Sequence, residues 1–338
     1  MFGMQIFLRG GWRFSAGEYV VALEYSPDGR SVAVLSAAGR LSVLEADTGA
    51  QRFTTAAHSA PGTCLAWSAD GSTVVTGGQD GAVTLCDART GVVRPLVSSG
   101  PRWVEHVACH PKRPWVAVAV GKTLRIMQLD GVELGTAREL ASTVTGVAWR
   151  DEQVLVGCYG GVFAFEPRRA EVVRSYRWKG SLLGLRLTPD ERFIVCPTQE
   201  NAVHIWKLKG KEDFEMSGFP TKVRCVVFSH NANAMANDAG KHITMWDFRG
   251  TGPAGRQPLV LEGHDAQVTF LAFCRAANSV WVVSAARDGK VKAWGEPTAS
   301  AVPLDGAPLE IGAASPNGCD VTVAAASGVV TAVSLSVH

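Results

Sequence analysis

Apolar and polar positions alternate along most of this chain in short runs, as in Leu23-Glu24-Tyr25 and Val32-Ala33-Val34. A period of two places successive side chains on opposite faces of a strand. No segment carries a helical stripe longer than about three turns. The runs come in threes. An apolar strand is followed by a Pro/Asp/Gly turn, a second strand by a small polar turn, and a third strand ends on a bulky residue. The clearest copies are TVVTGGQDGAVTLCD over 73–87 and VVSAARDGKVKAWG over 282–295.

The bulky closing positions are Leu44, Cys86, Met127, Phe165, Trp206, Trp246, Trp294 and Val333, at intervals of 42, 41, 38, 41, 40, 48 and 39. The first-strand turns repeat in step, as SPDG (26–29), SADG (68–71), CHPK (109–112), TPDE (188–191), SHNA (229–232) and SPNG (315–318). Pro, Asp and Gly supply the backbone angles that such turns need. Eight units at a period near forty predict an all-β propeller of eight blades. Seven blades with one unit outside is the alternative.

Each blade also needs a fourth, outer strand. QRFTTA (51–56), VRPLV (93–97), EVVRSYRW (171–178) and PLVLEG (258–263) qualify. The last unit, ending near Val333, leaves no sequence for one, whereas MQIFLRGGWRFS (4–15) is spare. That segment is expected to become the outer strand of the last blade, pairing near Val330 and leaving no open sheet edge. The chain is expected to be one domain. Residues 1–19 form the closing strand and lead-in, with blades near 20–58, 59–100, 101–141, 142–179, 180–218, 219–264, 265–306 and 307–338.

Composition narrows the function. The 33 basic and 31 acidic residues nearly balance, so no long-range field draws nucleic acid or an anionic membrane. The eight cysteines, at 64, 86, 109, 158, 196, 225, 274 and 319, form no CxxC pair and mostly sit in strand patterns. They read as reduced core thiols. No stretch reaches the ~18 apolar residues of a membrane span. The N-terminal apolar run is short and broken by arginine, unlike a secretory leader. The expectation is a soluble cytoplasmic protein.

Period, turns and dipeptides together resemble the WD40-repeat β-propeller family over essentially the whole chain. The family's Gly-His pair is kept at Gly263-His264 and in part at Ala57-His58. Its Trp-Asp pair is kept at Trp246-Asp247 and degenerate at Cys86-Asp87, while Trp206-Lys207 and Trp294-Gly295 keep only the tryptophan. Blades one, three, four and eight keep neither pair. The resemblance implies a structural network of His264, Asp288, Ser284 and Trp294. A second, imperfect copy joins His58, Asp80 and Thr76, with Cys86 in the tryptophan's place and therefore a shorter, weaker chain of bonds.

By residue type, Ser284, His264 and Asp288 could also form a nucleophilic triad, but no G-x-S-x-G elbow is present. His106, Cys109 and His110 suggest a metal. On a strand at about 3.3 Å per residue the two histidines would stand roughly 13 Å apart, too far for one tetrahedral zinc, so no metal site is expected. GGQDG lacks the following helix that phosphate binding requires. Trp67, Trp149 and Trp281 read as core. The run Lys207-Leu208-Lys209-Gly210-Lys211 reads as a solvated connection. No cofactor is implied.

The resemblance implies a non-catalytic scaffold or adaptor that binds protein partners, as a monomer or a subunit of a larger complex. The expected docking face is made by loops entering each first strand and by turns between second and third strands. It carries Tyr19, Arg102, Trp103, Tyr159, Trp178, Lys222 and Arg287. Aromatic residues and arginine are the usual interface anchors; alternatively, Trp103 and Trp178 merely cap blade edges. The competing function is a propeller hydrolase or isomerase using the central channel. Against it, the innermost strands, such as Cys-Leu-Ala-Trp and Cys-Val-Val-Phe, are poor in ionisable groups.

Overall fold

The computed structural model describes residues 6–169, 171–210, 212–276, 279–295, 300–304, 306–318 and 320–337. Met4, Gln5, Lys211 and Cys319, named above, lie outside them, as does residue 338 at the end of the last expected blade. The described residues contain no helix and form eight four-stranded antiparallel sheets, the blades of an eight-bladed β-propeller. The eighth sheet is as complete as the others, which removes the seven-bladed alternative. Among the described residues no helix is long and apolar enough to cross a membrane. The chain divides into two compact units, residues 21–46 with 50–186, and residues 1–20 with 47–49 and 187–338.

The first unit holds blades one to four. Blade one is β2 (Val20–Tyr25), β3 (Ser31–Ser36), β4 (Arg40–Glu45) and β5 (Gln51–Ala56); blade two is β6 (Gly62–Trp67), β7 (Thr73–Gly78), β8 (Ala82–Asp87) and β9 (Val93–Ser98). Blade three is β10 (His106–Cys109), β11 (Trp115–Val120), β12 (Thr123–Gln128) and β13 (Arg138–Glu139); blade four is β14 (Gly146–Arg150), β15 (Gln153–Cys158), β16 (Gly161–Glu166) and β17 (Glu171–Arg177). Second strands are covered on both faces, so SVAVLS of β3 and WVAVAV of β11 are buried at every position. Between blades one and two, Leu35, Val43, Trp67 and Val74 pack as one cluster. The SPDG turn works through its side chains. Ser26 Oγ donates to Asp28 Oδ1 at 2.6 Å, the same oxygen accepts the Arg30 N–H at 3.0 Å, and Gly29 takes φ 72°.

The second unit holds blades five to eight and the N-terminal strand, β1 (Ile6–Ser15). Blade five is β18 (Arg186–Leu187), β19 (Phe193–Pro197), β20 (Val203–Lys207) and β21 (Asp213–Met216); blade six is β22 (Val226–Phe228), β23 (Ala234–Ala239), β24 (His242–Asp247) and β25 (Leu259–Leu261). Blade seven is β26 (Val268–Ala276), β27 (Ser279–Ala286), β28 (Lys290–Trp294) and β29 (Ser300–Pro303). Blade eight is β30 (Leu309–Ala314), β31 (Asp320–Ala325) and β32 (Val329–Val337), with β1 as its outer strand. The expected partnership is present, with Phe14 opposite Val330 and Leu8 opposite Leu335. The register shifts between Gly10 and Arg13.

Two expected outer strands are shorter than their sequences suggested. PLVLEG pairs only over Leu259–Leu261, because Pro258 has no N–H to give the ladder. EVVRSYRW ends at Arg177, and Trp178 leaves the sheet.

Candidate functional site

In a four-stranded meander, the loop into the first strand and the turn between the second and third lie at the same end of the sheet. The seven candidate residues occupy such segments. In the first unit, Arg102 and Trp103 precede β10, Tyr159 lies in the β15–β16 turn and Trp178 follows β17. In the second, Tyr19 precedes β2, Lys222 precedes β22 and Arg287 lies in the β27–β28 turn.

Their surroundings differ. Tyr19, Trp103 and Tyr159 are 42%, 55% and 52% exposed. Tyr159 is fixed through its backbone, whose N–H donates to Ser142 Oγ at 2.8 Å. Arg102 is exposed, and its charge helps to lower the Glu139 pKa behind the larger effect of Lys122. Trp178 is half-buried; its indole covers Gly180, where any Cβ would overlap the ring. In the second unit, Arg287 donates to Glu310 Oε2 through Nη2 at 2.9 Å and Nε at 3.2 Å. Tyr19 belongs to the same group. Partial burial raises its pKa, Glu310 adds to the rise and Arg287 opposes it. Lys222 Nζ donates to Gln199 Oε1.

The candidate triad is a buried relay. Trp294 Nε1 donates to Ser284 Oγ at 2.8 Å, Ser284 Oγ meets His264 Nε2 at 2.8 Å, and His264 Nδ1 meets Asp288 Oδ2 at 2.8 Å. The Asp288 carboxylate can only accept, so the proton of a neutral His264 sits on Nδ1 and Ser284 donates its own to Nε2. That tautomer is neutral, and burial lowers the His264 pKa further than Asp288 raises it. Burial works to raise the Asp288 pKa, but N–H bonds from Asp265 and Lys290 and the contact with His264 hold it low. Ser284 is wholly buried.

Blade two repeats the arrangement, with His58 Nδ1 at 3.1 Å from Asp80 Oδ1 and His58 Nε2 at 2.9 Å from Thr76 Oγ1. The relay does not stop at Thr76, as the missing tryptophan suggested. It turns to the Thr84 hydroxyl at 2.8 Å. Sequence reading missed a third network, in blade six. Trp246 Nε1 and Thr244 Oγ1 both donate to Asn237 Oδ1, at 3.0 and 2.9 Å. The available signal was spacing, because Asn237 stands nine residues before Trp246 much as Ser284 stands ten before Trp294.

His110 is engaged at both ring nitrogens. Nδ1 accepts the N–H groups of Lys112 and Arg113, both at 3.0 Å, and Nε2 donates to the Asp151 carbonyl at 2.9 Å. Among the described residues no cluster of three or more His, Cys, Asp or Glu could hold a metal ion. The most perturbed carboxyl of a first strand is Glu24 of β2. Its side chain reaches solvent but is hemmed in by protein, which raises its pKa to about 7. Cys109 lies near enough to feel that charge, and burial, more than Glu24, pushes its thiol far up.

Two segments, residues 49–87 and 255–295, match the family described as "WD domain, G-beta repeat". The fold is similar to the crystal structure of a computationally designed protein, Ika8. The TM-score is 0.77 at 22% identity, covering 94% of this chain and 96% of that one. The two matched repeats, set within eight four-stranded blades, support a WD40-repeat propeller.

Proposed function

We propose that this WD40-repeat propeller is a non-catalytic scaffold whose protein partners dock on the loops that enter the first strands and on the turns between second and third strands. The observation that carries this is the exposure of three large aromatic side chains there, Tyr19, Trp103 and Tyr159. Such rings bury much area at small entropic cost. In the first unit Arg102 adds charge next to Trp103 in the chain; in the second, the Arg287–Glu310 pair lies by Tyr19, and Lys222 is exposed. Trp178, folded over Gly180, serves the loop rather than the partner. The scaffold works in the cytoplasm, a setting that suits reduced cysteines such as Cys64, Cys86, Cys109 and Cys158.

The relay around His264 stabilises blade seven. Ser284 is buried and already accepts the Trp294 N–H, so a substrate carbonyl cannot reach its oxygen. The alternative, a hydrolase or isomerase, draws support from Glu24, whose pKa near neutrality suits a general base. Its neighbour Cys109 is held as the thiol and is a poor nucleophile.

The test combines Trp103→Ala with Arg287→Glu and compares captured cellular partners with those of the unaltered protein. Partners lost from a variant with an unchanged melting temperature are expected. The same partners retained in the same amounts would overturn the proposal.

A further inference from the structure

Blade six has a cavity at the end opposite its Lys222 loop. Its volume is about 430 Å³, and its lining includes Met245, Trp246, Asp247, Arg249, Gln257 and Leu259. The cavity follows from how the outer strand stops. β25 pairs Leu259 with Met245 and goes no further, because Pro258 cannot donate. β24 runs on through Trp246 and Asp247, which β25 leaves unmatched. The mouth is apolar at Leu259, which is 57% exposed.

The rim is charged and asymmetric. Arg249 donates to Asp247 through Nε at 3.0 Å and Nη2 at 2.8 Å. Arg256 Nη1 reaches the same carboxylate at 2.6 Å and the Asp247 carbonyl at 3.2 Å. The bond from Arg249, aided by both positive charges, holds the Asp247 carboxyl far below the usual range. Two guanidiniums on one carboxylate leave a net positive charge beside an apolar hole. Arg249 keeps most of its side chain in solvent, and a guanidinium has five donors, so further carboxylates can join. The loop bearing both arginines is itself tethered, since Arg192 Nη2 and Nη1 donate to the Phe248 and Gly250 carbonyls at 3.0 and 2.7 Å.

We infer that this cavity is a second docking site, which takes an extended acidic peptide with an apolar side chain. The apolar group enters between Met245, Trp246 and Leu259. The peptide runs past the end of β25 beside Asp247 and leaves the bond from Arg256 to the Asp247 carbonyl in place. Its flanking carboxylates meet Arg249 and Arg256. The site is independent of the loop surface proposed above, so a scaffold built this way can hold two partners at once.

The probe is a fluorescein-labelled peptide of alternating glutamate and leucine, with a lysine-for-glutamate twin and a glutamine-for-glutamate twin. Fluorescence anisotropy should show saturable binding of the acidic peptide only, weakening as salt rises. With methyl-labelled methionine, the Met245 resonance should move during the same titration. Arg249→Ala and Leu259→Glu change exposed side chains, and each should weaken binding at least tenfold. Equal binding of either twin, an unmoved Met245 signal, or undiminished binding by both folded variants would overturn the inference.

Discussion

The indole of Trp281 occupies the space that a side chain at position 295 would need. A Cβ added to Gly295 would overlap the ring, and Trp281 is buried in the core of blade seven. This explains why Trp294 is followed by glycine where the family pattern has aspartate. Gly295→Asp, which would restore that pattern, is expected to destabilise the protein by about 1–3 kcal/mol, the usual effect of overpacking. Thermal unfolding checks it, and an unchanged midpoint would mean that Trp281 moves aside without cost.

His264→Ala should lower stability by about 1–3 kcal/mol, because it leaves Asp288 and Ser284 without their buried partner. His58→Ala should cost less. The Asp80 side chain is 16% exposed against 5% for Asp288, so water can satisfy it more readily. Denaturant midpoints of the two variants decide the order, and equal or reversed effects would contradict this account.

Stability should fall as the solution is acidified below pH 6.5. Burial is the main cause that lowers the pKa of His58, His106, His110, His204 and His264 below the ordinary 6.5. The unfolded chain therefore binds protons there before the folded chain does, and acid favours unfolding.

Glu24 runs the other way. Its pKa rises from 4.5 to about 7, so its burial weakens the fold as pH climbs through that window. Glu24→Gln should raise the melting temperature at pH 8 and leave it unchanged near pH 4. An equal effect at both pH values would show that packing, and not ionisation, is at work.

Deleting residues 1–15 should do far more harm than trimming a free tail. It strips β32 of its antiparallel partner and removes Leu8 from the core of blades seven and eight. Loss of several kcal/mol, out of the ~5–15 kcal/mol typical of a domain, is expected, with association through the bared edge. A truncated protein that stays monomeric with an unchanged melting temperature would refute this.

The repeating skeleton was legible because strand alternation and turn chemistry are local. Ser26, Asp28 and Gly29 build their turn from neighbours a few residues away. The outer strands β13, β21 and β29 were not legible. Arg138–Glu139 and Asp213–Met216 carry charged residues on a largely exposed edge, so no apolar alternation marks them. The site was harder still. Exposure of Trp103 and partial burial of Trp178 depend on loop paths, and one ring found Gly180 beneath it. Glu24 sits in an ordinary Leu-Glu-Tyr alternation, and its crowding comes from residues distant in sequence, such as Trp67 and Cys109.

The pairing of Phe14 with Val330 also sets a timetable for synthesis. At ~5–20 residues per second, β1 emerges from the ribosome roughly 15–60 s before its partner strand exists. Throughout that interval a ten-residue strand has no sheet to join, while the blades between can already form. β1, made before every blade, is placed only after β32. An arrest of translation anywhere before blade eight therefore leaves a sticky leading segment available to other nascent chains, and a chaperone that shields it has most to do on this protein's longest incomplete intermediates.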